Sequence, residues 1–201
     1  MTVARSPRGE YAKTEARRRE ILEAGMEVFA EGGYRNGSIR DIAARVGISQ
    51  AGLLHHFASK SELLAGVLAL RDEKSQTQIG TMPQAGLDNI RAVVDLIDHN
   101  ARVPGLVELQ CILSAEATAA DHPAHAYFVD RYRWLIDVSV QSFRALREEG
   151  LLREGVDPDT AAKAFIAVID GLQLQWLLDR SSVDMAAIAR DHVNALLRVT
   201  L

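Results

Sequence analysis

A short stretch of the chain, residues 49–57, carries side chains whose chemistry suits the reading of base pairs. Its apolar side chains, Leu53, Leu54 and Phe57, recur at helical spacing. Four of the other positions are candidates for an exposed, mostly uncharged polar face: Ser49, Gln50, Gly52 and His55. The major groove of B-DNA admits one α-helix, and Gln and Ser side chains can form hydrogen bonds with base edges there. The pattern predicts a helix that contacts double-stranded DNA.

The residues before this stretch predict the elements that would hold such a helix. Ser38, followed three residues later by Asp41, can cap a first helix. Apolar residues then recur on one face of that helix: Ile39, Ile42, Ala43 and Val46. Gly47 can end the helix in the left-handed conformation, and Ser49 can cap the next one. Residues 38–60 are therefore predicted to form a helix-turn-helix with a third helix beginning.

The same run carries a family resemblance. It contains the residues S-x-R-D-I-A-x-x-V-G-I-S-x-x-x-L-x-x-H-F-x-S-K-x-x-L, beginning at Ser38, and these resemble the DNA-binding signature of the tetracycline-repressor (TetR) family of bacterial regulators. The resemblance covers about the first 65 residues. It implies an all-α protein with a three-helix DNA-binding domain over residues 1–60 and a helical ligand-binding and dimerisation domain over residues 61–201.

The resemblance also implies individual DNA contacts. Many members have a phosphate-contacting tyrosine where this chain has Leu54, and the contact is expected to pass to His55 or His56. Basic residues of the first helix, such as Arg17, either pair with nearby glutamates or, as the resemblance favours, face DNA phosphates. Together with the polar face, the predicted DNA-binding set is Arg17, Ser38, Ile39, Ser49, Gln50, Gly52, Leu54, His55, His56 and Lys60.

Composition and charge are consistent with this prediction. The 201 residues are 48% hydrophobic and 25% charged with 5 prolines, which is typical of a helix-rich globular chain of one or two domains. Residues 1–60 contain 10 Lys and Arg against 7 Asp and Glu, whereas the rest contains 13 against 20. A modestly basic end on a chain of net charge -4 indicates that a polyanion binds at one face only.

Cysteine content and hydropathy indicate the compartment. The single cysteine, Cys111, excludes an internal disulfide and is expected to be a small buried residue rather than a reactive one. We find no secretion signal at the N-terminus, and no apolar run approaches the length of a membrane span. A cytoplasmic protein with no membrane partner is predicted.

The remainder of the chain is predicted to be helical. A polar stretch from about Asp72 to Gly86 is interpreted as a frayed helix end and a loop. Asp121, His122 and Pro123 are predicted to open a long helix that runs to about residue 149, and residues 157–158 to open the next. With helices near residues 11–31, 60–71, 87–101, 105–119 and 184–199, about nine helices are expected.

The last two helices carry more apolar surface than one packing partner covers. In the TetR family these helices form a homodimer, and the alternative is burial within one chain. The residues predicted to line the dimer interface are Phe165, Val168, Leu172, Ile188 and Leu196.

The aromatic side of the long helix predicts a small-molecule site. By the family resemblance an unknown, largely apolar effector binds there and weakens DNA binding; the alternative is that these aromatics are plain core. Glu116 and Gln173 are predicted as polar anchors. The full predicted set is Leu109, Leu113, Glu116, Tyr127, Phe128, Tyr132, Trp134, Gln173 and Trp176.

Catalytic and metal-binding motifs are not evident in the sequence. His122 and His125 have a spacing that could offer two metal ligands, but helix capping is the favoured interpretation, and no metal or cofactor is predicted. The chain contains no nucleophile elbow, phosphate-binding glycine loop or Cys-x-x-Cys pair, so an enzyme is the weakest class. Two classes remain: a ligand-responsive repressor, and a helical small-molecule-binding or interaction protein whose helix-turn-helix no longer reads DNA.

Overall fold

The capping residues and apolar spacings of the sequence produce an all-α protein. A computed structural model describes residues 7–79, 85–103 and 105–201. Within these ranges the chain forms nine helices, and its sole β-type pairing is one isolated bridge between Leu152 and Leu197. The helices are α1 (Pro7–Asn36), α2 (Ile39–Val46), α3 (Gln50–His56), α4 (Lys60–Ile79), α5 (Leu87–Arg102), α6 (Leu106–Glu116), α7 (His125–Glu148), α8 (Pro158–Leu178) and α9 (Met185–Leu196). The predicted fold class is confirmed.

Local signals in the first 60 residues correspond to the observed helix boundaries. The Ser38 hydroxyl accepts the N–H of Asp41 at 3.0 Å, and Gly47 ends α2 with φ 72. Ser59 likewise accepts the N–H of Glu62 at 3.1 Å at the start of α4. The end of α1 differs from the prediction, because the helical geometry breaks at Gly33 with φ 73 and one further turn follows to Asn36.

Two buried apolar clusters hold the helices together. The first cluster contains residues of the four helices α1, α2, α3 and α4, of α6 and of the start of α7. Phe29 and Phe57 therefore share a cluster with Leu113 and Phe128. The second joins α5, α7, α8 and α9 and includes Phe143. Because the first cluster extends beyond residue 60, the helix-turn-helix packs directly on the following domain. The division at residues 60 and 61 stays a prediction.

Two predicted helix boundaries are wrong. α4 continues through Asp72 to Ile79 instead of fraying, because the carboxylate of Asp72 pairs with side chains of α7 rather than with solvent. α7 begins at His125 and not at Pro123. The preceding residues form turns, in which Nδ1 of His122 accepts the N–H of Ala124 at 3.2 Å.

α8 has the length and apolar composition of a helix that could cross a membrane. Its apolar residues nevertheless pack within the chain, mainly against α7 and α9. The buried members are Ala161, Ala162, Phe165, Ile166, Ile169 and Leu172. On this side α8 packs as a core helix, whereas Leu174 and Leu178 of the same helix remain exposed.

Candidate nucleic-acid interface and effector cavity

One face of α3 is directed to solvent. Leu53 and Phe57 are buried and fix the helix to the core, which leaves four other residues of α3 exposed: Gln50, Ala51, Leu54 and His55. Ser49 caps α3, and its hydroxyl accepts the N–H of Gly52 at 3.0 Å, so its hydrogen and one lone pair remain available to a base. The Gln50 amide carries both a donor and acceptors, which is the group that can form a bidentate contact with adenine.

The first helix and α2 support this face from behind. Arg45 of α2 pairs with Glu27 at 3.0 Å and also with Glu31, which ties α2 to α1. Ile39 is half-buried against the first cluster, and the Ser38 hydroxyl serves the α2 cap. Both residues therefore have structural roles, and their predicted DNA contacts stay predictions.

The arginines of α1 have different partners. Arg18 donates to the backbone carbonyl of His56, and its guanidinium lies 4.2 Å from the centre of the Phe57 ring. Arg19 pairs with Glu73 of α4 at 3.0 Å. Arg17 pairs within its own helix, with Glu20 at 2.8 Å, and both side chains are exposed. Of these three arginines, Arg17 has the guanidinium that is least committed to holding helices together.

His56 and Lys60, which lie at the end of α3 and the start of α4, are partly buried in the surface of the helix-turn-helix. Burial lowers the pKa of His56, and the neighbouring charges of His55 and Arg18 lower it further, which favours neutral imidazole. Lys60 donates to the backbone carbonyl of Arg35 at 3.2 Å. Burial lowers the pKa of the Lys60 ammonium, whereas nearby Glu116 raises it. The predicted phosphate contacts of His55, His56 and Lys60 remain predictions.

Glu116 joins α6 to the end of α1. Its carboxylate accepts the backbone N–H groups of Tyr34 at 2.7 Å and Arg35 at 3.3 Å. Gly33 makes this approach possible, because a Cβ there would lie 2.6 Å from Oε1 of Glu116. The predicted role of Glu116 as a ligand anchor is not supported, since its oxygens are occupied by the helix-turn-helix and it does not line the cavity described next.

A cavity of about 440 Å³ lies between α4, α5 and α7. This volume is within the range of about 300 to 1,000 Å³ that small-molecule sites occupy. The apolar wall is formed by Val93, Leu96, Trp134 and Leu135. The polar part contains Asp72, Tyr127 and Arg131, with Ser75, Gln76 and Asp130 also contributing.

Two residues of the predicted ligand-binding set, Tyr127 and Trp134, line this cavity. Three others are core residues of the first cluster: Leu109, Leu113 and Phe128. Phe128 lies on a different side of α7 from Tyr127 because successive helical residues point in different directions. These core residues therefore do not line the cavity, and their predicted ligand contacts stay predictions.

The remaining members of the predicted ligand set lie elsewhere. The Tyr132 hydroxyl donates to Asp170 at 2.9 Å, and Oε1 of Gln173 is 3.9 Å from the sulfur of Cys111. Trp176 borders a smaller cavity of about 270 Å³ and stacks under Arg180. Sequence reasoning missed Arg131, although it follows Tyr127 by four residues and hence shares its helical face. It also missed Asp72, because the polar stretch that begins there is interpreted as a frayed helix end and a loop.

The residues predicted to line the dimer interface differ in the exposed fraction of their side chains. Phe165 and Leu172 pack within the chain, which leaves them only 0% and 6% exposed, and their predicted interface contacts stay predictions. Val168 and Leu196 are half-buried, and Ile188 remains 40% exposed. Large apolar side chains that the prediction omitted are more exposed: Leu174 at 55% and Leu178 at 80%.

His122 and His125 make separate backbone contacts. A ring nitrogen of His125 lies 2.8 Å from the carbonyl oxygen of Ala117, whereas Nδ1 of His122 accepts the N–H of Ala124. Across the ranges that the structure describes, no group of three or more His, Cys, Asp or Glu side chains has the geometry to hold a metal ion. The capping interpretation fits the His122 contact.

Comparison with known proteins finds two family models that match separate parts of the chain. Residues 21–67 match the model for bacterial regulatory proteins of the tetR family, and residues 91–198 match the C-terminal model of BetI-type transcriptional repressors. The chain is 30% identical over 196 residues to the HTH-type transcriptional regulator PksA of Bacillus subtilis, covering 90% of each chain. It is 33% identical over 172 residues to the HTH-type transcriptional repressor KstR2 of Mycobacterium tuberculosis, covering 80% of this chain and 81% of that one.

Solved structures show the same fold. A transcriptional regulator from Saccharomonospora viridis, solved in complex with choline, superimposes with a TM-score of 0.72 at 25% identity, covering 90% of this chain and 98% of that one. The relatives are transcription regulators rather than enzymes. With one family model spanning more than half of the chain and a second matching the helix-turn-helix, the protein belongs to the TetR family of DNA-binding transcriptional regulators.

Proposed function

We propose that the chain represses transcription as a homodimer on a near-palindromic operator and leaves it when a small molecule fills the cavity between α4, α5 and α7. The observation that carries this proposal is the path of α4. This helix begins at Lys60 beside α3, and its residues Asp72, Ser75 and Gln76 line the cavity. A ligand that shifts α4 would therefore move the element that directly follows the DNA-reading helix.

Dimerisation supplies the required symmetry. The exposed apolar residues Leu174, Leu178 and Ile188 of α8 and α9 support an interface there. A two-fold dimer presents its two α3 helices to successive major-groove faces about 34 to 36 Å apart, or a multiple of this, which corresponds to a near-palindrome. The repressor function of KstR2 and the choline complex of the Saccharomonospora viridis regulator support ligand-responsive repression. Access to operator DNA places this activity in the cytoplasm.

The DNA-binding part is tested by titrating labelled DNA from upstream of the chain's own gene, with fluorescence anisotropy as the readout. We expect saturable binding that unlabelled copies of the same DNA displace and that random DNA displaces poorly. Binding should weaken steeply with salt because phosphate contacts release counterions. Equal affinity for operator and random DNA would favour a helical protein that no longer reads DNA.

The ligand part is tested by a thermal-shift screen of lipophilic compounds, followed by operator titration with each hit. A ligand changes DNA affinity only if it prefers one of the two protein forms. A coupling free energy of about 1 to 3 kcal/mol corresponds to a loss of operator affinity of roughly 5- to 150-fold. Hits that stabilise the protein and leave operator affinity unchanged would contradict this part.

A further inference from the structure

A charged cluster in the cavity wall has more cationic than anionic groups. The carboxylate of Asp72 accepts hydrogen bonds from Nη1 of Arg131 at 2.6 Å, from Nη1 of Arg71 at 3.2 Å and from the Tyr127 hydroxyl at 2.8 Å. Its two oxygens therefore serve three donors, two of which are positively charged. Among the described residues, Asp72 is the one carboxylate within ion-pair distance of either guanidinium.

This positive excess is largely removed from solvent. Arg71 is 6% exposed, and the Arg131 side chain is 15% exposed. Burial lowers the pKa of Arg71, and the charge of Arg131 lowers it further. Buried charges are unfavourable unless they are paired, so a further anion beside the two guanidinium groups would stabilise the cluster.

Arg131 is the member that can meet such an anion, because it lines the cavity. Its buried Nε–H has no acceptor within the part of the chain that the structure describes, so its donor capacity is not fully used. Asp170 influences Arg131 electrostatically, but its Oδ2 accepts the Tyr132 hydroxyl and it makes no ion pair with Arg131 in the described structure. An anionic ligand could pair with Arg131 from the cavity side.

The rest of the cavity wall suits the uncharged, apolar part of a ligand. Trp134 is half exposed and stands in the wall with Val93 and Leu96. The other carboxylate of the lining, Asp130, pairs with Arg133 at 3.0 Å, and both of these side chains are at least 72% exposed. Solvent screens that surface pair, so its charges contribute little to the recognition of a ligand.

We propose that the cavity binds an organic acid, with an apolar or aromatic body against Trp134 and a carboxylate paired with Arg131. The proposal rests on the proposed function in taking this cavity as the effector site, and it names the chemical class of the effector. An organic ammonium ion is the less favoured ligand, because it would add to the positive excess and would meet in Asp72 a carboxylate already engaged by three donors.

The test compares how tightly the full chain binds ligands that have the same apolar part and different head groups. The probes are decanoate, decanamide and decyltrimethylammonium, together with phenylbutyrate and its primary amide, titrated by calorimetry below their aggregation limits. We expect each acid to bind about tenfold or more tightly than its amide, which corresponds to about 1.4 kcal/mol for one charge-assisted contact. Arg131→Met should abolish this preference, and Arg131→Lys should retain part of it.

Two further variants separate charge from packing. Arg133→Met is the matched control, because Arg133 is on the same helix but 72% exposed and paired at the surface, and the acid preference should be unchanged. Trp134→Ala should weaken acid and amide by the same factor, since it removes a contact with the body of both. Unchanged acid preference in a folded Arg131→Met variant would overturn the assignment of the anchor.

The outcome is separable from that of the proposed function. Equal binding of acids and amides, preference for the ammonium probe, or no binding of either acid would overturn the ligand class. Operator affinity is measured in parallel without probe and at saturating decanoate. If decanoate binds through Arg131 and operator affinity does not change, the ligand class stands and the proposed release from DNA fails.

Discussion

Oε2 of Glu116 lies 2.7 Å from the backbone nitrogen of Tyr34, so a side chain from α6 accepts a hydrogen bond from the last turn of α1. The two residues are separated by 82 positions in the chain. A second backbone N–H, that of Arg35, meets the other oxygen of the same carboxylate at 3.3 Å. The regulatory half therefore contributes directly to the local backbone structure of the helix-turn-helix.

The first prediction concerns this contact. Glu116→Ala leaves the N–H groups of Tyr34 and Arg35 without their acceptor, and the free energy of unfolding should fall by about 1 to 3 kcal/mol. Glu116→Gln keeps one acceptor oxygen and should lose less. Urea denaturation followed by circular dichroism measures both. Glu108→Ala is the matched control on the same helix, because it removes an ion pair with the exposed Arg180 and should change stability by less than about 1 kcal/mol.

The second prediction concerns the DNA-reading face. Gln50→Ala should relax base preference at one position of each operator half-site at a loss of about 1 to 3 kcal/mol, because the exposed amide can form two hydrogen bonds with one base. Arg17→Ala should weaken operator and random DNA alike and flatten the salt dependence, as expected for a phosphate contact. Anisotropy titrations against operator variants distinguish the two effects. An equal loss on operator and random DNA for Gln50→Ala would show that Gln50 does not read sequence.

The third prediction concerns the dimer. Leu178→Asp should convert the protein to monomer, because it places a charge on the most exposed large apolar side chain of α8. Since this side chain packs little within its own chain, the helical content should not change. Sedimentation velocity at micromolar concentration measures the oligomeric state. Leu54→Asp, at an exposed leucine of α3, is the control and should leave the dimer intact; a monomeric wild-type protein would refute the interface.

The fourth prediction concerns acid sensitivity. Burial lowers the pKa of His122, and this effect exceeds the opposing influence of Glu116. A histidine whose pKa is lower in the folded chain than its ordinary value near 6.5 binds a proton more readily when unfolded. Its contribution to stability is therefore present above about pH 6.5 and is lost as the pH falls below that value.

His122→Asn tests this, because the amide oxygen can replace Nδ1 as acceptor for the N–H of Ala124 without titrating. The urea midpoint of the variant should fall less than that of the wild type between about pH 7.5 and about pH 5.5. Burial also lowers the pKa of His56 and His192, so these two residues contribute to the pH dependence of wild-type stability as well. His122→Asn should therefore remove only part of that pH dependence. Identical pH dependence of His122→Asn and wild type would contradict the assignment.

The fifth prediction concerns Cys111. Burial raises the pKa of its thiol to about 11, and nearby Asp170 and Glu108 act in the same direction. Because the thiolate is the reactive form, iodoacetamide should alkylate native protein far more slowly than urea-unfolded protein near neutral pH. Mass spectrometry of the quenched reaction gives the modified fraction. Rapid labelling of the native protein would indicate a more accessible thiol.

The features that sequence reasoning predicted well are those determined over a few residues. Ser38, Ser49 and Asp157 each cap a helix by accepting an N–H three residues later, and this short range makes the signal readable without a fold. The left-handed turn at Gly47 is equally local. The helix-turn-helix is built from such signals, and its exposed face could therefore be predicted.

The cavity depends on contacts that no local signal contains. Asp72 reads as the start of a frayed helix end because a polar side chain looks the same in sequence whether it meets water or a partner 59 residues away, as Arg131 is. Along α7 the aromatic residues alone do not reveal which side meets α4. Tyr127 reaches the cavity whereas Phe128 enters the core, and the difference follows from the rotation of one helix against its neighbours.

The glycine at position 33 constrains how this protein can be recombined with its relatives. Its backbone has φ 73, which strains any residue with a side chain, and a Cβ there would lie 2.6 Å from Oε1 of Glu116, so the carboxylate would have to shift from the N–H groups that it accepts. A chimera that joins these regulatory helices to the helix-turn-helix of another protein should therefore keep the two hydrogen bonds of Glu116 only if that helix-turn-helix has a glycine at the position equivalent to Gly33.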